Sequence, residues 1–342
     1  MAADSAPPSD PLLRERFTWP LLHRLIALHR QARRGDGRLP LIALNGPVGA
    51  GKSTLGRQLE SLAQSRGLRL VVASIDDLYR PLSERRQRLA GNPFGVSRVP
   101  PGSHDIPLLL ESLERWRGGG ELRLPRFDKT LCAGEGERGG WRRQPADALV
   151  LEGWLMGCQP LNSAVLAALP GPSASQPACS ALELSQAEWS WLPHWNNELE
   201  AYRPLWRACD GLWLLRPLHW GLPRRWRFQA EARQRRRGGA WLQPDALAAL
   251  VRSSLCSLPP ALYQDPLLQH WPERSTQLFR RSGIDVSVTE AGPDKSPRQE
   301  PLGPNEPTDT IPPGAMAVLD GRRRCLEVRL QSSLSEASSE TG

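Results

Sequence analysis

Eight residues, Gly46 to Ser53, read GPVGAGKS and fit the pattern G-x-x-x-x-G-K-[ST]. A short apolar run, LPLIALNG, leads into them, and a helix-forming stretch, KSTLGRQLE, leads away. No other feature restricts the fold as strongly. Glycines at these spacings let backbone N–H groups turn inward onto phosphate oxygens, a lysine reaches the outer phosphates, and the Ser/Thr hydroxyl ligates Mg²⁺. The helix that opens at the end of the motif adds the positive end of its dipole. Gly46, Gly49, Gly51, Lys52, Ser53 and Thr54 are therefore expected to hold a nucleotide, with Ser53 also on the metal. A compact ammonium fits between loop and phosphates, where a planar guanidinium would not.

That requirement stands out because of the composition. The chain has 41 Arg and three Lys, namely Lys52, Lys129 and Lys295. A chain that writes Arg almost everywhere keeps Lys where its shape is needed. Lys52 is explained by the motif, Lys129 is expected at the reacting site, and Lys295 falls in a Pro-rich stretch with no further signal.

The pattern around the motif is α/β. LRLVVASIDD, DALVLEGW and CDGLWLLRP are further apolar strands, and helical stretches near 52–66, 106–117 and 196–208 separate them. Strands alternating with helices indicate a mostly parallel sheet covered on both faces, here a three-layer P-loop sandwich. In such sheets ligands bind at the C-terminal edge of the strands. Asp76 and Asp77 leave that edge after the second strand, and Glu152 leaves it after the third. A carboxylate there can take the proton of an attacking hydroxyl or serve the metal. One of Asp76 and Asp77 is the expected base and the other joins Glu152 and Ser53 as an expected metal residue, although both Asp could instead cap the next helix.

Two segments of high polar density follow no helical or strand period: RVPPGSHD, from Arg98 to Asp105, and PRFDKTLCAGEGER, from Pro125 to Arg138. Their cations and hydrogen-bond donors suit a small carboxylate-bearing acceptor. Arg98, His104, Asp105, Arg126 and Lys129 are its expected partners, with Arg138 beside them.

The chain is expected to divide into a disordered tail (1–15), a kinase domain (16–287, lid near 222–240), a Pro-rich linker (288–313), strands returning to the domain (314–331) and a second tail (332–342). The Asp-Gly pair in AMAVLDGRRRCLEVRL marks a turn between those last strands. The insert at 158–193, rich in Pro, Ser, Ala and Trp, has no assigned role. No run of 18 apolar residues exists, and the first 17 residues lack an apolar signal core. The six cysteines show no metal-like spacing, as expected of reduced thiols in the cytoplasm. A net charge of +8 is compatible with nucleic acid, but the Arg is spread along the chain, and a small anionic substrate equally favours a positive cleft.

Seven segments in order, NGPVGAGKST, SIDDLY, PPGSHD, RFDKT…GEGER, LEGW, NNELEAYRPLW and RWRFQAE, resemble the D-glycerate 3-kinase family. That family is a branch of the P-loop kinases, together with uridine kinase, phosphoribulokinase and pantothenate kinase. The resemblance covers roughly residues 40–265. It implies ATP- and Mg²⁺-dependent phosphorylation of D-glycerate to 3-phospho-D-glycerate, a step of the photorespiratory glycolate pathway. It also implies a catalytic base at Asp76, with Leu78 in place of the usual aromatic and Asp77 left to the metal. In kinases of this type a helical lid brings Arg over the transferring group, which the resemblance places in RRWRFQAEARQRRRGG, from Arg224 to Gly239: Arg224, Arg225 or Arg227 would stabilise its charge, Arg227 being the catalytic choice, and Gln229 and Glu231 would orient the lid or meet the nucleotide. Ser103 stands where the family usually has Thr. The alternatives left open are a sibling kinase acting on a nucleoside, pantothenate or a sugar phosphate, and a basic nucleic-acid-binding NTPase. The oligomeric state is unassigned.

Overall fold

Six strands form the central sheet, in the order β2-β5-β1-β6-β7-β8. They are β1 (Leu41–Asn45), β2 (Leu70–Ser74), β5 (Ala148–Gly153), β6 (Gly211–Pro217), β7 (Gly314–Leu319) and β8 (Cys325–Leu330). The computed structural model describes residues 10–35, 37–169, 171, 182–239, 241–267 and 314–331. All neighbouring strands run parallel except β7 and β8, which form the antiparallel hairpin expected around Asp320-Gly321. The linker expected at 288–313 and the tail at 332–342 lie outside the described residues.

Alternation along each strand divides the apolar residues between two cores. Leu41 and Ala43 of β1 face one side with Leu149, Leu151, Leu212 and Leu214. Ile42 and Leu44 face the other with Val150, Trp213 and Leu215. Both faces must be covered, as period-2 strands buried on both sides require. The helix Lys52–Gln64 and the N-terminal helix Trp19–Arg33 cover the second face through Leu55, Leu59, Leu21 and Leu25. Helices Ile106–Arg117, Gln186–Glu198 and Pro244–Cys256 cover the first. The result is the three-layer sandwich that the strand pattern indicates.

Three local expectations change. Residues 11–15 are helical rather than a tail, because Asp10 caps the turn at Leu13 and also accepts a hydrogen bond from the Cys325 N–H. The expected helix at 196–208 is broken: Gln186–Glu198 ends, a tight turn spans Leu199–Tyr202, and Arg203–Ala208 resumes behind Pro204. The polar segment at 125–138 is not aperiodic. It carries the end of β3 (Leu122–Asp128), the connecting loop and the start of β4 (Glu137–Gln144) in a separate antiparallel hairpin, with a register shift between Pro125 and Phe127. That hairpin leaves the main sheet and reaches over the C-terminal edge of β2.

Candidate active site

The phosphate loop follows β1, and its shape depends on two glycines. Gly49 (φ +79°) and Gly51 (φ +99°) are left-handed, a conformation that L side chains rarely adopt. A Cβ on Gly49 would also lie 2.8 Å from the backbone nitrogen of Arg227, so the lid helix Leu222–Arg236 packs directly on the loop. Gly51 is the N-cap of the helix Lys52–Gln64, whose first N–H groups have no intrahelical acceptor and face any anion in the loop. Lys52 Nζ donates to the carbonyls of Gly46 (2.8 Å) and Pro47 (3.3 Å). The Ser53 hydroxyl donates to Glu152 Oε1 at 3.1 Å, and Glu152 Oε2 lies 3.7 Å from Lys52 Nζ.

Strand register brings the second half of the site close. Glu152 on β5 pairs with Leu44 of β1 on one side and Ser74 of β2 on the other. Neighbouring strands lie about 5 Å apart, so the start of the phosphate loop and the Asp76 turn are separated by two such steps, about 10 Å. Asp76 and Asp77 sit in the turn Ile75–Leu78. They face different partners. Asp76 Oδ2 forms an ion pair with Lys129 Nζ at 2.9 Å, and Asp76 Oδ1 accepts the Tyr79 hydroxyl at 2.9 Å. Burial alone would raise the Asp76 carboxyl. The Lys129 ammonium, the positive field at His104 and the Tyr79 hydroxyl outweigh it and hold the group well below the usual carboxylate range. Asp77 Oδ1 instead accepts the Phe127 N–H at 3.2 Å and so ties the β3–β4 hairpin to the strand edge. Burial raises its carboxyl, the Phe127 bond opposes that, and the Asp76 charge adds to it.

His104 lies behind Asp76. Its ring stacks on Tyr79 (4.7 Å between centroids), and its Nδ1 lies 2.7 Å from the Tyr202 hydroxyl. Tyr202 also accepts the Gly102 N–H at 3.2 Å, so NNELEAYRPLW supplies the back wall of this region. Burial pulls the His104 pKa down to about 4, against the Asp76 charge and with the help of Arg80 and Arg85. An unfolded chain therefore binds the proton near pH 6.5 and the folded chain only near pH 4. In that window the unfolded state holds more protons, so stability falls as the pH drops. The His104 contribution is expected to reach about 3 kcal/mol once both states are protonated. Urea unfolding at pH 7 and pH 4.5 checks this: His104→Gln should show a smaller loss than the unchanged chain, and an equal loss excludes His104 as its source.

The other expected acceptor residues separate into two groups. Asp105 caps the helix Ile106–Arg117 through the Leu108 N–H and pairs with Arg138 at 2.7 Å; Arg138 Nε donates to the Tyr79 carbonyl. This pair braces the Asp76 turn. Arg126 is exposed on β3, one residue from Phe127. Arg98 is buried, and its guanidinium is engaged by the carbonyls of Gly134 and Glu135, so it holds the hairpin loop instead of facing an acceptor. Arg85, which the sequence did not single out, does the same work: fully buried, it donates to the carbonyls of Arg80, Ser97, Glu135 and Gly136. On the lid, Arg227 pairs with Glu231 at 2.7 Å, and Glu231 Oε1 accepts the Leu242 N–H at 2.6 Å. Glu231 thus shapes the lid. Arg224 lies over the Phe228 ring.

Known proteins similar to this chain include kinases. A solved D-glycerate 3-kinase from Cryptococcus neoformans superposes with a TM-score of 0.66 at 22% identity, covering 92% of this chain and 98% of that one. The fold is that of a P-loop kinase. The resemblance to the D-glycerate 3-kinases also has a counterpart in sequence. The chloroplastic D-glycerate 3-kinase of Arabidopsis thaliana is 29% identical over 241 residues, which is 66% of this chain and 49% of that protein. An uncharacterized kinase of Schizosaccharomyces pombe is 28% identical over 207 residues, 57% of this chain and 71% of that protein. The chain thus spans about half the length of the plant relative. No protein-family model matches it.

Against this P-loop kinase fold, the residues fit a divalent cation of the Mg²⁺ type. A hydroxyl and a carboxylate, Ser53 and Glu152, already meet beside the phosphate loop, and Mg²⁺ takes oxygen ligands, few of them from protein. Among the described residues no three His, Cys, Asp or Glu side chains cluster for a metal. Asp77, bound to the hairpin backbone, has no contact with this pair among the hydrogen bonds and ion pairs described.

Proposed function

We propose that this chain transfers the γ-phosphoryl group of ATP to the 3-hydroxyl of D-glycerate. The observation that carries the reading is the Asp76–Lys129 ion pair, two strands from a complete phosphate loop. The D-glycerate 3-kinase of Arabidopsis thaliana, aligned over two-thirds of the chain, supports the choice of acceptor. In this reading Gly46–Thr54 cradle the phosphates and Lys52 turns from the loop carbonyls to the outer phosphates. Ser53 and Glu152 would hold Mg²⁺, which offsets charge on the β- and γ-oxygens when bound. Lys129 releases Asp76 to take the glycerate carboxylate. Asp76 then accepts the hydroxyl proton as the hydroxyl oxygen bonds to the γ-phosphorus. The bond from that phosphorus to the bridging oxygen breaks, and ADP leaves. Once Lys129 has turned to the substrate, the burial that raises the Asp76 carboxyl is less opposed, so its affinity for the hydroxyl proton increases at the moment it serves as base. Arg227 and its lid neighbours would cover the equatorial oxygens after exchanging Glu231 for phosphate.

The domain limits belong to the same proposal: a kinase domain over 16–287 with its lid near 222–240, completed by strands at 314–331. So do work in the cytoplasm and a place in photorespiratory glycolate recycling. The described cysteines are all free thiols, which favours a reducing compartment. Among the described residues no helix is long and apolar enough to cross a membrane.

ATP turnover over a panel of D-glycerate, uridine, pantothenate and ribulose 5-phosphate, with the phosphorylated product identified, tests this reading. Turnover confined to D-glycerate and yielding 3-phosphoglycerate is expected. A preference for another acceptor, or 2-phosphoglycerate as product, would overturn it. A further variant addresses the acceptor side alone. Lys129→Arg is expected to lower kcat/KM for D-glycerate on the order of 10²-fold, since a planar head displaces the carboxylate by about 1 Å. The KM for ATP should stay within a factor of about two. Unchanged glycerate kinetics would remove Lys129 from the site.

A further inference from the structure

We infer that Arg323, in the turn between β7 and β8, is a positioning residue that sets the phosphate loop and the lid helix for nucleotide. The inference rests on the reading of Gly46–Ser53 as the nucleotide site. Arg323 Nε donates to the Gly49 carbonyl at 2.6 Å, and its Nη2 donates to the Trp226 carbonyl at 2.9 Å. One guanidinium therefore joins the centre of the phosphate loop to the first turns of the lid, across 274 residues of sequence. The Trp226 indole returns the contact by donating to the Gly321 carbonyl at 3.1 Å, and the Arg323 guanidinium lies over the Trp226 ring.

The turn is built to present this side chain. Asp320 accepts the N–H groups of Arg322 and Arg324, both at 2.8 Å, and the Arg323 N–H closes onto the Asp320 carbonyl. Arg323 itself is left-handed, with φ +65°. A non-glycine residue in that region is strained, and such strain persists only where surrounding contacts over-determine it. Two charge-assisted bonds to backbone carbonyls are such contacts.

The consequence for the loop follows from peptide planarity. Fixing the Gly49 carbonyl fixes the plane of the peptide that also carries the Ala50 N–H on its opposite edge. That N–H closes the loop's turn onto the Pro47 carbonyl at 3.2 Å. With the plane held, the left-handed conformations at Gly49 and Gly51 are set before nucleotide arrives, which lowers the ordering cost of binding. The same guanidinium fixes the end of the lid that approaches Gly49.

ADP titration, which needs no acceptor, is the direct test, combined with ATP and D-glycerate kinetics and thermal unfolding. Arg323→Ala is expected to weaken ADP about tenfold and raise the KM for ATP similarly, with the KM for D-glycerate unchanged. Arg323→Lys should be intermediate, because an ammonium lacks the fork that spans both carbonyls, and it carries the test if the alanine variant does not fold. ADP affinity within twofold of the unchanged chain in a folded variant overturns the inference while leaving the phosphate-loop reading intact. So does a loss in which every kinetic parameter only follows the folded fraction. Failure of the unchanged chain to bind ADP takes down both readings.

Discussion

Lys52→Ala is expected to abolish turnover, by at least about 10³-fold, in a chain that remains folded. In the structure Lys52 Nζ is held by the Gly46 and Pro47 carbonyls and lies 3.7 Å from Glu152. It is a buried-edge cation with no role in either apolar core, so its loss should leave the sandwich standing. What disappears is the positive charge proposed to meet the outer phosphates. Circular dichroism and thermal unfolding establish the fold, and a coupled ADP-release assay establishes the rate. Turnover within threefold of the unchanged chain would end the assignment of Gly46–Ser53 as a phosphate cradle.

Asp76→Asn is expected to lower kcat by about 10²–10⁴-fold, the usual size of a lost general base, with ATP affinity nearly unchanged. The amide keeps the volume and can still accept the Tyr79 hydroxyl, but it cannot take the acceptor proton. It also ends the ion pair with Lys129, whose side chain is 55% exposed and stays solvated without its partner. Asp77→Asn should cost far less, because an amide oxygen can still accept the Phe127 N–H that Asp77 binds. A reversed order of effects would make Asp77 the base. Loss of Mg²⁺-dependent ATP affinity in Asp76→Asn, cured by saturating metal, would make Asp76 a metal ligand.

The separation of Asp76 from Asp77 shows how far neighbouring residues can be read from the chain alone. Both carboxylates follow the same strand, and nothing in SIDDLY distinguishes them. The distinction comes from the β3–β4 hairpin, which supplies an ammonium to one and a backbone N–H to the other. The hairpin itself was hidden for a physical reason. Its β4 strand, ERGGWRRQ, has no buried residue and carries no apolar alternation, so the period-2 signal of a half-buried strand is missing. Arg98 was hidden differently. A charged residue in a polar segment reads as a ligand partner, whereas here it serves the loop carbonyls of Gly134 and Glu135.

The sequence by itself determined what is local: the phosphate cradle, the strands that alternate between two cores, the helix after the loop, and the return of the chain around Asp320-Gly321. Each depends on residues within a few positions of one another, where backbone conformation and side-chain period speak directly. The rare lysines extended that reach, because Lys129 is conspicuous among 41 Arg. Tertiary structure alone decided the pairings at long range: Ser53 with Glu152, Asp76 with Lys129, His104 with Tyr202, and Arg323 with both Gly49 and Trp226. No spacing rule links residues 50 to 270 positions apart. Arg323 carried no mark in the sequence, standing second in a run of three arginines, and only a turn fixed by Asp320 turns that one guanidinium onto the phosphate loop.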